Sequence, residues 1–248
     1  MTRLYTEDVE LYDIAFSWGL GEEADWLLER LGPGARRVLE PGCGTGRMLE
    51  ALALAGAESV GLDSSPQMVD FARRRLEAAG LAVEVIVGDM TDFELDRRFD
   101  GAVCPINTLA HLTPDELRRH FDCVARHLEP GARYLVQVGV ADVFDPTAVS
   151  EWNAERGDVA LTIRWAPIER SGGREEHRSR IEVLSGPRRG DVIEESHAMT
   201  GWTTESWRAA VERSPFVELA TYDGAASGRP RVELEHGGGL LWHELGAT

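Results

Sequence analysis

Apolar and polar positions change rhythm twice along the 248-residue chain. From Glu7 to Leu31 they follow a helical period, with Trp26, Leu27, Leu28 and Leu31 in one stripe after a break at Gly19-Leu20-Gly21, and the turn at Gly32 to Gly34 ends the pattern. Short apolar runs and amphipathic runs then alternate. Strands are predicted at Val38 to Glu40, Ser59 to Leu62, Val83 to Val87, Gly101 to Cys104 and Tyr134 to Gly139, and helices at Met48 to Leu54, Pro66 to Ala79 and Pro114 to Leu128. Near-continuous apolar strands between helices imply a parallel sheet covered on both faces.

After Gly139 the period becomes two. Val159, Leu161, Ile163 and Trp165 alternate with smaller or polar residues, and further alternating runs at His177 to Leu184 and Val192 to Met199 flank "SGPRRGD". An antiparallel patch is predicted there. A helix at Thr204 to Arg213 and strands at Val217 to Tyr222 and Leu240 to Leu245 close the chain. The fold class is therefore α/β, a doubly wound Rossmann-like, mostly parallel seven-stranded sheet with an antiparallel β cap inserted after the fifth strand.

Three glycines in the five positions from Gly42 to Gly46 stand between the first strand and its helix, where backbone N–H groups approach a ligand closely. The dinucleotide fingerprint would need glycine at Gly42, Gly44 and the position of Arg47, so hydride transfer is weakened. Instead Glu40 precedes the glycines, and an acid there suits a ligand with an ammonium and repels a pyrophosphate. The second strand ends at Asp63, about 20 residues on, where an acid can accept ribose hydroxyls. The third ends at Asp89 and Met90, placed to hydrogen-bond and pack against a heterocyclic base. Each acid alone could be a helix cap, but three at successive strand ends mark the crevice where such sheets bind ligands.

These stretches closely resemble the class I S-adenosylmethionine-dependent methyltransferases over roughly Tyr5 to Gly139. "EPGCGTG" is similar to that family's first motif, "GLDSSPQMVDFARRR" to its second and "GDMTDF" to its third. The resemblance implies S-adenosyl-L-methionine as cofactor, with Glu40, Gly42 and Gly44 at its methionine end, Asp63 at the ribose, Met68 near the base, and Asp89 with Met90 at the adenine. Tyr12, Cys43, Ser64 and Pro105 join that cofactor-binding set. Through "ELYD", "HL" and "EESH" the sequence looks most like small-molecule enzymes such as the macrolide aminosugar N,N-dimethyltransferases, although many O-methyltransferases share the outline. In those enzymes a histidine matching His111 and a tyrosine matching Tyr5 lie near the acceptor, so both are candidate catalytic residues. Against this, His111 could be a helix-start histidine bonded to backbone.

The resulting division is an N-terminal helical lid at 1–35, a cofactor-binding core at 36–140, an antiparallel substrate cap at 141–200 and the C-terminal part of the core sheet at 201–248. Trp152, Trp165, Trp202 and Trp207 lend the cap an aromatic character suited to an organic acceptor, and most of them are expected to be core. His120 and His127, seven residues apart on one helix, are expected on its solvated face, and His197 on a cap strand is a weaker candidate base. Arg178 and Arg180, on one strand face, could recognise an acidic substrate group, but pairing with Glu194 or Glu195 across the sheet is the leading expectation.

All 26 basic residues are arginine, which excludes lysine chemistry, and the formal charge of −17 disfavours nucleic acid and anionic membrane surfaces. Base methylation is also disfavoured because Cys104-Pro105-Ile106-Asn107 stands where such enzymes carry Asn- or Asp-Pro-Pro-aromatic. Three scattered cysteines and no His/Cys metal spacing imply a reducing compartment and no metal. The acidic N-terminus and lack of a long apolar run imply a soluble cytoplasmic protein. A methyl group moved to oxygen or nitrogen of a small metabolite is the leading function; a homodimer, a non-catalytic S-adenosylmethionine binder and, less so, a nicotinamide oxidoreductase stay open.

Overall fold

The computed structural model describes residues 2–234 and 238–248. They form two compact units, one made of Leu20–Val143 with Trp202–Thr248, the other of the segment up to Gly19 with Phe144–Gly201.

In the larger unit, helix α2 (Gly21–Leu31) leads into a run of β1 (Arg37–Pro41), α3 (Arg47–Leu54), β2 (Glu58–Asp63), α4 (Pro66–Ala78), β3 (Glu84–Val87), β4 (Phe99–Cys104), α5 (Pro114–Arg126) and β5 (Leu128–Val140). α6 (Thr204–Glu212), β10 (Phe216–Asp223), β11 (Arg231–Val232) and β12 (Gly239–Ala247) complete it. The sheet order is β11-β10-β12-β5-β4-β1-β2-β3, parallel from β3 to β5 and antiparallel beyond. Eight strands replace the expected seven because the two-residue β11 pairs with the edge of β10, too short to leave a period in the sequence.

Local chemistry sets the helix starts. Ser65 accepts from the Met68 amide with Pro66 at the first turn, and Thr113 and Glu116 form a reciprocal capping box before Pro114. Val38, Leu39, Leu62, Val103 and Leu135 are buried on strands covered on both faces, which is why these runs read as continuously apolar. β1 and β4 are neighbours where the strand order reverses, so the crevice at their C-terminal ends is the place where such sheets bind ligands.

Two expectations change here. Helix α2 does not belong with the N-terminal segment, because Ala24, Leu27 and Leu31 pack with Val38, Met48 and Leu135 in the larger unit. Trp202 and Trp207 are core residues as expected, but of the larger unit and not of the cap, with ring centroids 5.8 Å apart.

The smaller unit is a four-stranded antiparallel sheet, β6 (Ser150–Arg156), β7 (Val159–Ser171), β8 (Arg174–Val183) and β9 (Val192–Thr200), with a short 3-10 turn Arg3–Tyr5 and helix α1 (Val9–Ala15). Leu4, Leu11, Ile14 and Ala15 bury themselves against Leu161, Ile163, Ile181, Val183 and Ile193 on one sheet face. Two buried acids tie the segment down: Arg188 bridges to Asp8 at 2.6 Å and Arg156 to Asp13. Strand β6 escapes the sequence pattern because, as an edge strand, it keeps few buried positions. Arg180 pairs with Glu194 at 3.2 Å as expected, whereas Glu195 instead accepts from the Arg3 and Leu4 amides.

Candidate functional site

The turn between β1 and α3 is held in shape by its own backbone. The Gly42 and Cys43 amides both donate to the Leu62 carbonyl, at 2.8 and 3.0 Å, and the Gly46 amide donates to the Cys43 carbonyl at 3.0 Å. Gly42 has φ +71°, and a Cβ there would stand 2.6 Å from the Thr108 methyl and 3.7 Å from the Met90 sulfur. That close approach puts the first motif, the third motif and the segment after β4 side by side. Only glycine permits both the left-handed backbone and the close approach.

Asp63 at the end of β2 accepts from the Gly44 amide and the Ser65 amide, both at 2.9 Å. Burial raises its pKa, and those two N–H groups oppose the rise. Its carboxylate is thereby oriented, with lone pairs to spare for a ligand.

Glu40 is buried, and its Oε2 has no hydrogen-bond partner among the described residues. Burial pushes its pKa up to about 8; Arg47 pulls it down and Asp63 adds to the rise. A buried carboxylate oxygen without a donor is costly unless a cation completes it. Cys43 contributes only its backbone to the turn, since its side chain packs with Leu49, Val69 and Leu76 and burial holds the thiol well above its ordinary value.

The remaining candidates of the larger unit fall along the same strand ends. Asp89 is exposed and accepts from the Thr91 amide at 2.8 Å, Met90 is half-buried, Met68 is buried and Ser64 is exposed. Pro105 is buried after β4, and His111 closes the 3-10 turn Thr108–His111, half-buried. Tyr5 and Tyr12 lie in the smaller unit with ring centroids 5.6 Å apart, edge to face.

Three residues near the site escaped sequence reading. Ile106 and Asn107 stand at φ +50° and +60°, and a β-branched residue there is strained. The strain persists because β5 clamps the loop: Ile106 N–H donates to Gln137 Oε1 at 2.8 Å, Asn107 N–H to the Gln137 carbonyl at 3.1 Å, and Gly139 N–H to Asn107 Oδ1 at 2.8 Å. A lone glutamine inside the apolar run "YLVQVGV" was the available signal.

The expectation of solvated His120 and His127 is overturned. Both are buried. His120 Nδ1–H donates to the Met90 carbonyl at 2.8 Å while its Nε2 accepts from the Tyr134 hydroxyl at 2.7 Å; His127 accepts from the Leu95 amide at 3.0 Å and donates to the Cys123 carbonyl at 2.8 Å. Burial drives the His120 pKa down to about 4.

Residues 38–131 match the methyltransferase-domain family. The chain is 34% identical over 236 residues to the dTDP-3-amino-3,6-dideoxy-alpha-D-glucopyranose N,N-dimethyltransferase of Streptomyces fradiae, covering 90% of this chain and 88% of the relative. Among solved structures, an S-adenosylmethionine-dependent methyltransferase from Clostridium acetobutylicum superposes with TM-score 0.78 at 16% identity, each chain 98% covered. The S-adenosylmethionine-bound amino pentose methyltransferase of Micromonospora echinaspora gives TM-score 0.76 at 24% identity over the full length of both chains. With its switch-point crevice and glycine turn, the chain belongs to the class I S-adenosylmethionine-dependent methyltransferases that act on small molecules.

It is thus an enzyme that uses S-adenosylmethionine and moves a methyl group to nitrogen or oxygen of a small metabolite. The described residues fit that cofactor: Glu40 Oε2 lacks the partner that an ammonium would be, and Asp63 is a pre-oriented acceptor beside the turn. No helix among the described residues is long and apolar enough to cross a membrane.

Proposed function

We propose that the acceptor is the amine of a nucleotide-linked amino sugar, methylated twice. The 34% identity, over 90% of the chain, to an enzyme of that name supports the reading. Incubation with dTDP-3-amino-3,6-dideoxy-α-D-glucopyranose and S-adenosylmethionine should give mono- and then dimethylated product by mass spectrometry. Methylation of hydroxyl sugars alone would replace the amine with an alcohol acceptor.

In this reading Asp63 accepts the ribose hydroxyls, Asp89 and Met90 meet the adenine with Met68 and Ser64 nearby, and Glu40 with the Gly42, Cys43 and Gly44 backbone holds the methionine end. Pro105, buried after β4 at the start of the strained loop, belongs to the same cofactor set. The sulfonium of the cofactor supplies an activated methyl group. The protein supplies alignment and exclusion of water for an in-line displacement, and alignment alone can lower the barrier by several kcal/mol. His111 removes the ammonium proton before the methyl group is transferred. Charge and compartment follow the same line: a cytoplasmic enzyme of small molecules with no affinity for nucleic acid.

Two measurements separate these roles. His111→Ala should lower kcat about a hundredfold, the usual scale of a lost general base, with the Kd for S-adenosylhomocysteine unchanged; an unaltered kcat would make His111 structural. Burial pushes the Glu40 pKa up to about 8, which favours a proton on its carboxyl at pH 7 when no cation is bound. An ammonium beside it favours the carboxylate, so ligand binding should release up to one proton. Calorimetry of S-adenosylhomocysteine in buffers of different ionisation enthalpy should detect that release at pH 7, but not at pH 9.5 or in Glu40→Gln. Proton uptake on binding would contradict the assignment.

A further inference from the structure

The polar end of the four-stranded sheet carries a buried imidazole that the cofactor chemistry does not use. Register places Trp165 opposite Ser179, Ser179 opposite Glu195, and His177 opposite His197, so these side chains share one face. The same face, further along, buries Ile163, Ile181 and Ile193 beneath α1 and the 3-10 turn.

Almost every polar group at this end has its partner. Trp165 Nε1–H donates to His177 Nδ1 at 3.0 Å, so His177 Nε2–H donates to Glu175 Oε2 at 2.7 Å, and the other Glu175 oxygen accepts from Arg170 Nε at 2.7 Å. Glu195 caps the Arg3 and Leu4 amides. His197 is the exception. Its Nε2 bonds the Ser179 hydroxyl at 2.8 Å and its ring stacks on Trp165 with centroids 4.5 Å apart, yet its buried Nδ1 has no hydrogen-bond partner among the described residues.

A buried nitrogen left over in an otherwise satisfied cluster calls for an explanation, because such atoms are rare and costly. The Tyr5 ring lies 6.2 Å from the His197 ring, so an aromatic wall stands beside the imidazole. Burial and the neighbouring His177 push the His197 pKa down to about 4, and an imidazole neutral at pH 7 suits hydrogen bonding better than proton transfer. Because Ser179 can donate or accept, Nδ1 can take either role toward a ligand. Hydroxyl and amine groups of a sugar ring likewise both donate and accept.

The geometry points to His197 as an acceptor-binding residue whose Nδ1 hydrogen-bonds a hydroxyl or amine of the sugar, with Trp165 and Ser179 fixing the ring. This rests on the amino-sugar reading above. It sets a specificity for polar rings over flat apolar acceptors, since only a polar ring completes the nitrogen.

Two substitutions separate ligand binding from mere packing. His197→Asn keeps a polar group near the Nδ1 position and loses the bond to Ser179, whereas His197→Gln keeps one near Nε2 and leaves the Nδ1 position empty. With dTDP-3-amino-3,6-dideoxy-α-D-glucopyranose at saturating S-adenosylmethionine, the Gln variant should raise the acceptor KM about tenfold, the effect of one lost hydrogen bond, and the Asn variant less than about threefold. S-adenosylhomocysteine affinity and melting temperature report whether each variant is folded. A Gln variant with the native KM beside an impaired Asn variant would overturn the inference and leave Ser179 as the only partner that matters. If the native enzyme binds S-adenosylhomocysteine but does not methylate that sugar, the amine reading fails first. Direct titration of the same sugar then decides: binding lost in the Gln variant supports His197, and equal or absent binding in both proteins overturns it.

Discussion

Asp63→Ala is expected to weaken S-adenosylhomocysteine binding about a hundredfold by titration calorimetry. Two bonds from ribose hydroxyls to one carboxylate, at about 1.5 kcal/mol each for bonds to a charged group, make about 3 kcal/mol. The substitution also frees the Gly44 and Ser65 amides, which Asp63 holds at 2.9 Å, so the turn loses an anchor along with the ligand. Asp63→Asn discriminates between the two effects. It retains one oxygen that can accept, and its affinity should fall between those of the native protein and the alanine variant. A loss below about threefold in Asp63→Ala, far short of one charged hydrogen bond, would remove the ribose assignment and return Asp63 to a backbone cap.

The second large effect concerns stability. His120→Ala should lower the unfolding free energy by about 4 kcal/mol, since it opens a cavity in the main core and strands the Met90 carbonyl and the Tyr134 hydroxyl. Urea titration at pH 7 measures it, and a change below about 1 kcal/mol would mean that the core closes over the gap. The pH dependence follows from the depressed pKa. His120 falls from an ordinary 6.5 to about 4 in the folded protein, so its contribution is full above pH 6.5 and is lost as the pH falls toward 4. His197 has the same direction and window, so His120→Gln should flatten only part of that slope. The variant also disturbs the Met90 backbone, and cofactor affinity should fall with stability.

The two histidines of α5 show how legibility fails. Their seven-residue spacing says that they share a face, and the stripe of Leu117, Phe121 and Val124 runs along that same face. The spacing alone does not say which face is buried; the apolar stripe shows that the shared face is the inner one. What no period could disclose is the partners of His120, because Met90 and Tyr134 lie 30 and 14 positions away in the chain. His197 differs again. Its strand was legible from alternation, but an unsatisfied nitrogen exists only once Ser179 and Trp165 have taken the rest of the ring.

Short-range chemistry was written in the sequence alone. The spacing of the glycines after β1, the prolines at the starts of α4 and α5, the acids at three strand ends and the alternation of β7 to β9 are patterns of residues within a few positions of one another, so a linear reading reaches them. Tertiary structure decided what depends on distant residues meeting. It left Glu40 buried with an oxygen lacking a donor among the described residues, strained Ile106 against Gln137, placed Trp202 and Trp207 in the main core, and put α2 with the parallel sheet. Burial and hydrogen-bond satisfaction are sums over everything that surrounds an atom, and those surroundings are assembled from segments that the chain keeps far apart.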